Sequence, residues 1–340
     1  MLSSYFAPVK IISLYLSVLA ATLVAMSVVS CQKEITVDLP LAPAKIVVEG
    51  SIEQGRPPVI MLTWSQGYFE PTDLTSLESY FVRDADVRVS NGIDTVQLPM
   101  VCASELSPEE LEIAAELLGL DPQSLSQFDI CLYTTLDQSV WGEIGKTYTL
   151  WVDQDDHHLK SVTKINELVY IDSLWFLIPN AEPIDSLGFI FGTLTDPDTT
   201  GNAYRWYARR INRYPSWVPE QYLVGQVKDP TFIAPIGSVF DDQFFNGLSF
   251  EFGYYRGQQA NSSKFDDRNE EAGFFKKGDT VVVKGCVIDR GVFKFIDSFE
   301  NQVANQGSPF ALPYNVESNV VGGLGVFAGY GTVYDTVICE

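Results

Sequence analysis

Apolar and polar positions alternate over most of the chain. In KIVVEGSIEQGRPPVIMLTWSQ (45–66), Val47, Gly50 and Ile52 belong to one run, and Val59, Met61, Thr63 and Ser65 alternate in the next. Gly55 to Pro58 separate them, so two strands around a turn are expected. DADVRVSNGIDTVQLP (84–99) repeats the pattern: Val87 and Val89 alternate with Arg88 and Ser90, and Asn91-Gly92 suits a tight primed turn. In GKTYTLWVDQDDHHLKSVTKI (145–165), Tyr148, Leu150 and Val152 share a face, Asp153 to His157 form the turn, and Val162 returns. One segment breaks the period of two. SPEELEIAAELLGL (107–120) places Leu111, Ala114, Ala115 and Leu118 at helical spacing, with Ser107 and Glu110 as a capping box, Pro108 at the first turn and Gly119 as a C-cap. Beyond Asn166 to Phe176 a second series of strand patterns begins. Phe295, Phe299 and Val303 recur at fours and predict a short helix over 294–305. The expected fold is all-β: a β-sandwich over 45–165, a helical insertion within it at 102–131, and a second β-rich domain over 166–340.

The first 30 residues follow another logic. Lys10 is their one charged side chain, Ile11 to Val29 are uncharged and largely apolar, and Val28, Val29 and Ser30 precede Cys31. A cationic start, an apolar middle and small residues at the end fit a signal peptide better than a membrane-spanning helix. The small residue before Cys31 resembles the lipobox of bacterial lipoproteins, in which the cysteine is acylated and becomes the new N-terminus. Acyl chains on Cys31 would anchor the protein in a membrane. Residues 31–44 would form a tether. Gln32 in place of Asp implies the outer membrane, and CQKE (31–34) resembles the export signal of Bacteroidota surface lipoproteins.

Charge narrows the partners. The whole chain has a formal net charge of −22, and removing Lys10 with the signal leaves 21 basic against 44 acidic side chains, or −23. Such a chain repels nucleic acid and anionic headgroups. Four cysteines follow Cys31, an even number in an exported chain, and their order favours Cys102–Cys131 and Cys286–Cys339 as disulfides.

Candidate chemistry is sparse. The two histidines, His157 and His158, are adjacent, so on extended backbone their side chains point apart. DPDTTGN places Asp196, Asp198, Thr200 and Asn202 at alternate positions, a spacing that suits either Ca²⁺ or a turn; the Gly and Glu of an EF-hand are absent. AYRWYARRINRYPSWVPEQY (203–222) concentrates arginine and aromatic residues in an acidic chain. On a strand, Tyr204, Trp206 and Ala208 face one side and Arg205, Tyr207 and Arg209 the other. Tyr214, Trp217 and Tyr222, with Arg209 and Arg213, are candidates for ligand or partner contact. NVVGGLGVFAGYG (319–331) lacks the lysine of a phosphate loop and reads as close-packed strand.

KIVVEGSI (45–52), ADVRVSNG (85–92), CLYTTLDQSVWGEIGKTYTLWV (131–152), DPDTTGNAYRWY (196–207), GDTVVVKGCVID (278–289) and GSPFALPYNVESNVVGGLGVFAGYG (307–331) together resemble the domain-of-unknown-function 4249 family of Bacteroidota lipoproteins. The resemblance implies a transthyretin-like or carboxypeptidase-regulatory-like sandwich at the start and an outer-membrane lipoprotein. It also implies a role beside a TonB-dependent transporter, and it carries over no catalytic residue. The function expected is therefore non-enzymatic binding on a lipid anchor, with no cofactor beyond the calcium alternative. A structural or adhesive surface protein is the second expectation, and a hydrolase using paired carboxylates the third.

Overall fold

The alternating runs become strands in a computed structural model, which describes residues 43–67, 80–118, 122–179, 186–213, 225, 227–257, 273–305 and 315–340. The signal segment, Cys31, Gly119, Tyr214, Trp217 and Tyr222 lie outside the described residues. The first strands are β1 (Ile46–Glu53), β2 (Val59–Trp64), β3 (Asp86–Ser90), β4 (Thr95–Gln97), β5 (Met100–Cys102), β6 (Cys131–Thr134), β7 (Thr147–Gln154) and β8 (His157–Lys164). They are followed by β9 (Ile171–Leu177), β10 (Leu187–Thr195), β11 (Ala203–Arg210), β12 (Val239–Asp241), β13 (Ser249–Tyr254), β14 (Phe275–Lys276), β15 (Thr280–Ile288), β16 (Val320–Val321) and β17 (Leu324–Ile338). The helices are α1 (Pro108–Leu118), α2 (Pro122–Gln127) and α3 (Arg290–Ala304).

An eight-stranded sheet runs β12-β11-β15-β17-β1-β2-β6-β5. Against one end of it packs the sheet β16-β8-β7-β3-β4, burying Ile46, Val48, Ile60, Val87, Leu150 and Phe327 between them. Against the other end pack β13, β10, β14 and β9, enclosing Trp206, Val281, Val283, Ile190 and Phe275. Each core takes alternate residues of its strands, because successive side chains leave a strand on opposite faces. The all-β, sandwich-like fold is the one the alternation predicts.

The boundary expected between 165 and 166 does not divide the molecule. Residues 44–340 form one compact unit. The reason is β17: Leu324 to Tyr330 pair in parallel with β1, and Gly331 to Ile338 pair antiparallel with β15. One 15-residue strand from the end of the chain thus serves both sandwich halves. Its glycines permit this. A Cβ on Gly325, at φ +95°, would stand 2.0 Å from the carbonyl oxygen of Val48.

The helical insertion is closed as expected. Ser107 and Glu110 cap α1 reciprocally at 2.9 and 3.4 Å, and Cys102 and Cys131, opposite each other on β5 and β6, are joined in a disulfide. Ala103, Ala115 and Leu125 give the insertion a small core of its own. The second expected disulfide does not form: Cys286 and Cys339 are both free and buried. Cys286 is level with Thr332, while Cys339 adjoins Asp279, seven residues before Cys286 and just ahead of β15. That offset is about 23 Å of strand, beyond the roughly 7 Å between Cα atoms that a disulfide spans. The Asn91-Gly92 turn also differs. Ser90 pairs with Thr95, leaving a four-residue loop in which Asn91 Oδ1 accepts from the amides of Ile93 and Asp94 at 2.9 and 2.8 Å. The helix expected at 294–305 begins earlier, because Asp289 accepts from the Val292 amide at 2.9 Å and caps it there.

Candidate functional site

Helix α3 packs Val292 and Ile296 on the outer face of the large sheet, over Ala203, Cys286 and Ala328. It covers only part of that face. Between α3, the segment 230–236 and strands β11, β15, β17, β1 and β2 lies a cleft of about 650 Å³. Its floor follows from strand parity. Arg205, Tyr207 and Arg209 stand on the face of β11 opposite Trp206 and Ala208, which enter the core. Lys284 of β15, Tyr330 and Tyr334 of β17, and Glu53 of β1 come to the same place.

Lys284 is the centre of this floor. Its Nζ donates to Glu53 Oε2 at 2.6 Å and lies 5.7 to 6.0 Å from the ring centroids of Tyr207, Phe232, Tyr330 and Tyr334. Burial disfavours its charge, but Cys286, Glu53 and Tyr334 outweigh that, and its pKa stands above the ordinary lysine value. Tyr334 also donates to Glu53, Oη to Oε1, at 2.7 Å. Arg205 pairs with Glu300 of α3 at 2.9 Å and lies over the Tyr207 ring. Glu300 in turn accepts from the Gly237 amide at 2.7 Å. Behind Lys284, burial pushes the Cys286 thiol up to about 11. Glu49 stands open to the water of the cleft but among its walls, and this partial desolvation raises its carboxyl pKa.

The residues singled out in the sequence separate here. Arg209 lines the cleft, with Nε donating to the Asp229 carbonyl at 3.0 Å. Arg213 instead donates to the Gly225 carbonyl. Arg210, of the same cluster, is fully buried and grips Asp229 through Nε at 2.9 Å and Nη2 at 2.8 Å. Asp196 is buried at the turn before β11, where it accepts from the Tyr204 hydroxyl, from Asn202 Nδ2 at 3.3 Å and from the Gly247 amide at 3.1 Å. Those donors occupy the carboxylate much as a turn requires. Among the described residues, Cys102, Asp129 and Cys131 group closely enough to suggest metal ligands, but the two sulfurs are already bonded to each other. His157 meets Trp64 edge-on at 5.2 Å, and His158 Nδ1 is 2.7 Å from Asp153; they stand on opposite faces of β8, as adjacency implied.

Sequence reading passed over Lys284, Glu53, Tyr330 and Tyr334. A signal existed in VVVKGCVI: a lone lysine inside an apolar strand run needs a buried partner.

No curated protein matches the chain. Among solved structures, the crystal structure of bovine butyrophilin aligns over 87% of this chain and 99% of that one, at 8% identity and a TM-score of 0.15, too weak a likeness to inform fold or function. The family model described as a domain of unknown function, DUF4249, matches residues 32–335, which is most of the sequence, and the chain belongs to that family.

Proposed function

We propose that this is a lipid-anchored outer-membrane protein, exposed at the cell surface, that binds a ligand beside a TonB-dependent transporter and catalyses no reaction. The observation that carries the binding role is the cleft on the large sheet. Its volume of about 650 Å³ falls among small-molecule sites, and it combines aromatic walls with a few convergent charged groups. The lipobox pattern at Cys31 supports the anchor. A binding role suits the protonation of the cleft better than catalysis does. Lys284 is held as an ammonium and Cys286 as a thiol at neutral pH, so neither is poised as a nucleophile.

The test is protease shaving of intact cells, followed by pull-down through a C-terminal tag. Shaving together with recovery of a β-barrel transporter is the expected result. A chain protected in intact cells, with no barrel recovered, would remove this reading and favour a structural role facing the periplasm.

A further inference from the structure

The charge of the cleft is opposite in trend to that of the chain. From residue 31 onward acids outnumber bases 44 to 21, yet the cleft gathers Arg56, Arg205, Arg209 and Lys284 against Glu49, Glu53 and Glu300. Two of those acids are committed, Glu53 to Lys284 and Glu300 to Arg205. Arg205 and Arg209 keep donors in hand. Nε and Nη1 of Arg205 are buried and make no hydrogen bond among the described residues, an arrangement that native proteins seldom leave without water or an ion. Arg209 uses Nε on a backbone carbonyl, lies 5.9 Å from the Phe232 ring centroid, and makes no ion pair among the described residues.

Along β1, β2 and α3 the lining of the cleft is largely apolar, with Glu49 set among it. Val47 is level with Leu324 and Glu53 with Tyr330 on paired strands, so the two ends of the floor are about 20 Å apart. Met61 and Val326 are level with Glu49 on their paired strands, and α3 contributes Phe295, Phe299 and Val303 to the lining of the cleft. Phe295 and Phe299 stack at 6.0 Å, and Phe299 is 50% exposed. A stacked aromatic pair that lines a cleft and leaves Phe299 half exposed is an apolar surface with no partner on that side among the described residues.

On the reading that this cleft is the binding site, we infer that its ligand is an amphiphilic organic anion. The acidic head would sit on Arg205 and Arg209, either side of Tyr207, and the apolar body would run along Phe295, Phe299 and Val303. Guanidinium donors in a fixed plane match a carboxylate, and accept phosphate or sulfate by the same chemistry.

The test is calorimetric titration of the full mature chain with dodecanoate, dodecyl phosphate, dodecanol and dodecyltrimethylammonium, each below its micelle concentration. Dodecanoate or dodecyl phosphate is expected to bind, and the tighter of the two identifies the head group. Dodecanol and the cation are expected to bind at least about tenfold more weakly. Arg209→Gln and Phe299→Ser, both at accessible positions, should each weaken anion binding about tenfold, while Lys164→Gln on the far sheet should leave it unchanged. Equal binding of dodecanol or of the cation would overturn the inference, as would anion binding indifferent to Arg209→Gln. If no amphiphile binds but a barrel still co-purifies, the ligand class is wrong and the transporter reading stands.

Discussion

Lys284 and Glu53, 231 residues apart in sequence, meet at 2.6 Å across β17. The pair ties β15 to the end of β1 on the floor of the cleft, and its side chains are 17% and 13% exposed. Removing one partner of so enclosed a pair strands the other. Lys284→Met is expected to cost about 3 kcal/mol, and adding Glu53→Gln to recover part of that loss. Urea denaturation of the single and double variants checks this. A single-variant loss below about 1 kcal/mol would mean that the pair behaves as a surface contact.

The cysteines give a direct chemical reading. Alkylation of the denatured, unreduced chain should label Cys286 and Cys339 and spare Cys102 and Cys131 until a reductant is added. Peptide mass spectrometry reads the result, and a 286–339 peptide pair would contradict the structure. The Cys102–Cys131 bridge closes a segment with a sequence separation of 29. On the chain-entropy account, replacing both by serine should cost about 3.5 kcal/mol in denaturant.

The local elements were legible and the long-range ones were not. Hairpins such as β7–β8 follow from period-two alternation and an intervening turn, and α1 follows from its capping box. The parallel pairing of β17 with β1 has no local signature, since it joins the two ends of the described chain. A boundary near residue 165 was therefore a fair inference from local pattern and a wrong one for the sheet. The cleft shows the same limit. Strand parity placed Arg205, Tyr207 and Arg209 together correctly, but α3 makes their face the floor of a cleft, and Lys284, Glu53 and Tyr334 arrive from other strands. Only tertiary pairing brings these residues together.

Glu49 makes stability depend on pH in a definite sense. Its pKa is raised in the folded protein above the ordinary value of 4.5 by loss of hydration in the cleft. The folded state therefore holds the proton more tightly, and stability falls as pH rises from about 4.5 through the raised value. Glu49→Gln should raise the melting temperature at pH 7, and the gain should vanish at about pH 3, where the wild-type carboxyl is protonated in both states. Equal effects at the two pH values would show that Glu49 is fully hydrated.

Gly325 tests whether β17 closes the fold by close approach. Its φ is +95°, and an added Cβ would meet the Val48 carbonyl oxygen at 2.0 Å and its amide nitrogen at 2.9 Å. All of these contacts are backbone, so no rotamer change relieves them, and either β17 moves away from β1 or the strand unpairs. Gly55, at φ +72° in the β1–β2 turn, has nothing within 4 Å of its ideal Cβ. Both glycines share the left-handed strain of about 1 kcal/mol, and only Gly325 adds the clash. Gly55→Ala is expected to lose about 1 kcal/mol, and Gly325→Ala more than about 3 kcal/mol. Thermal and urea melts of the two variants decide the matter. If they fall together, β17 tolerates a wider spacing from β1, and the two sandwich halves are held by their own cores rather than by the strand they share.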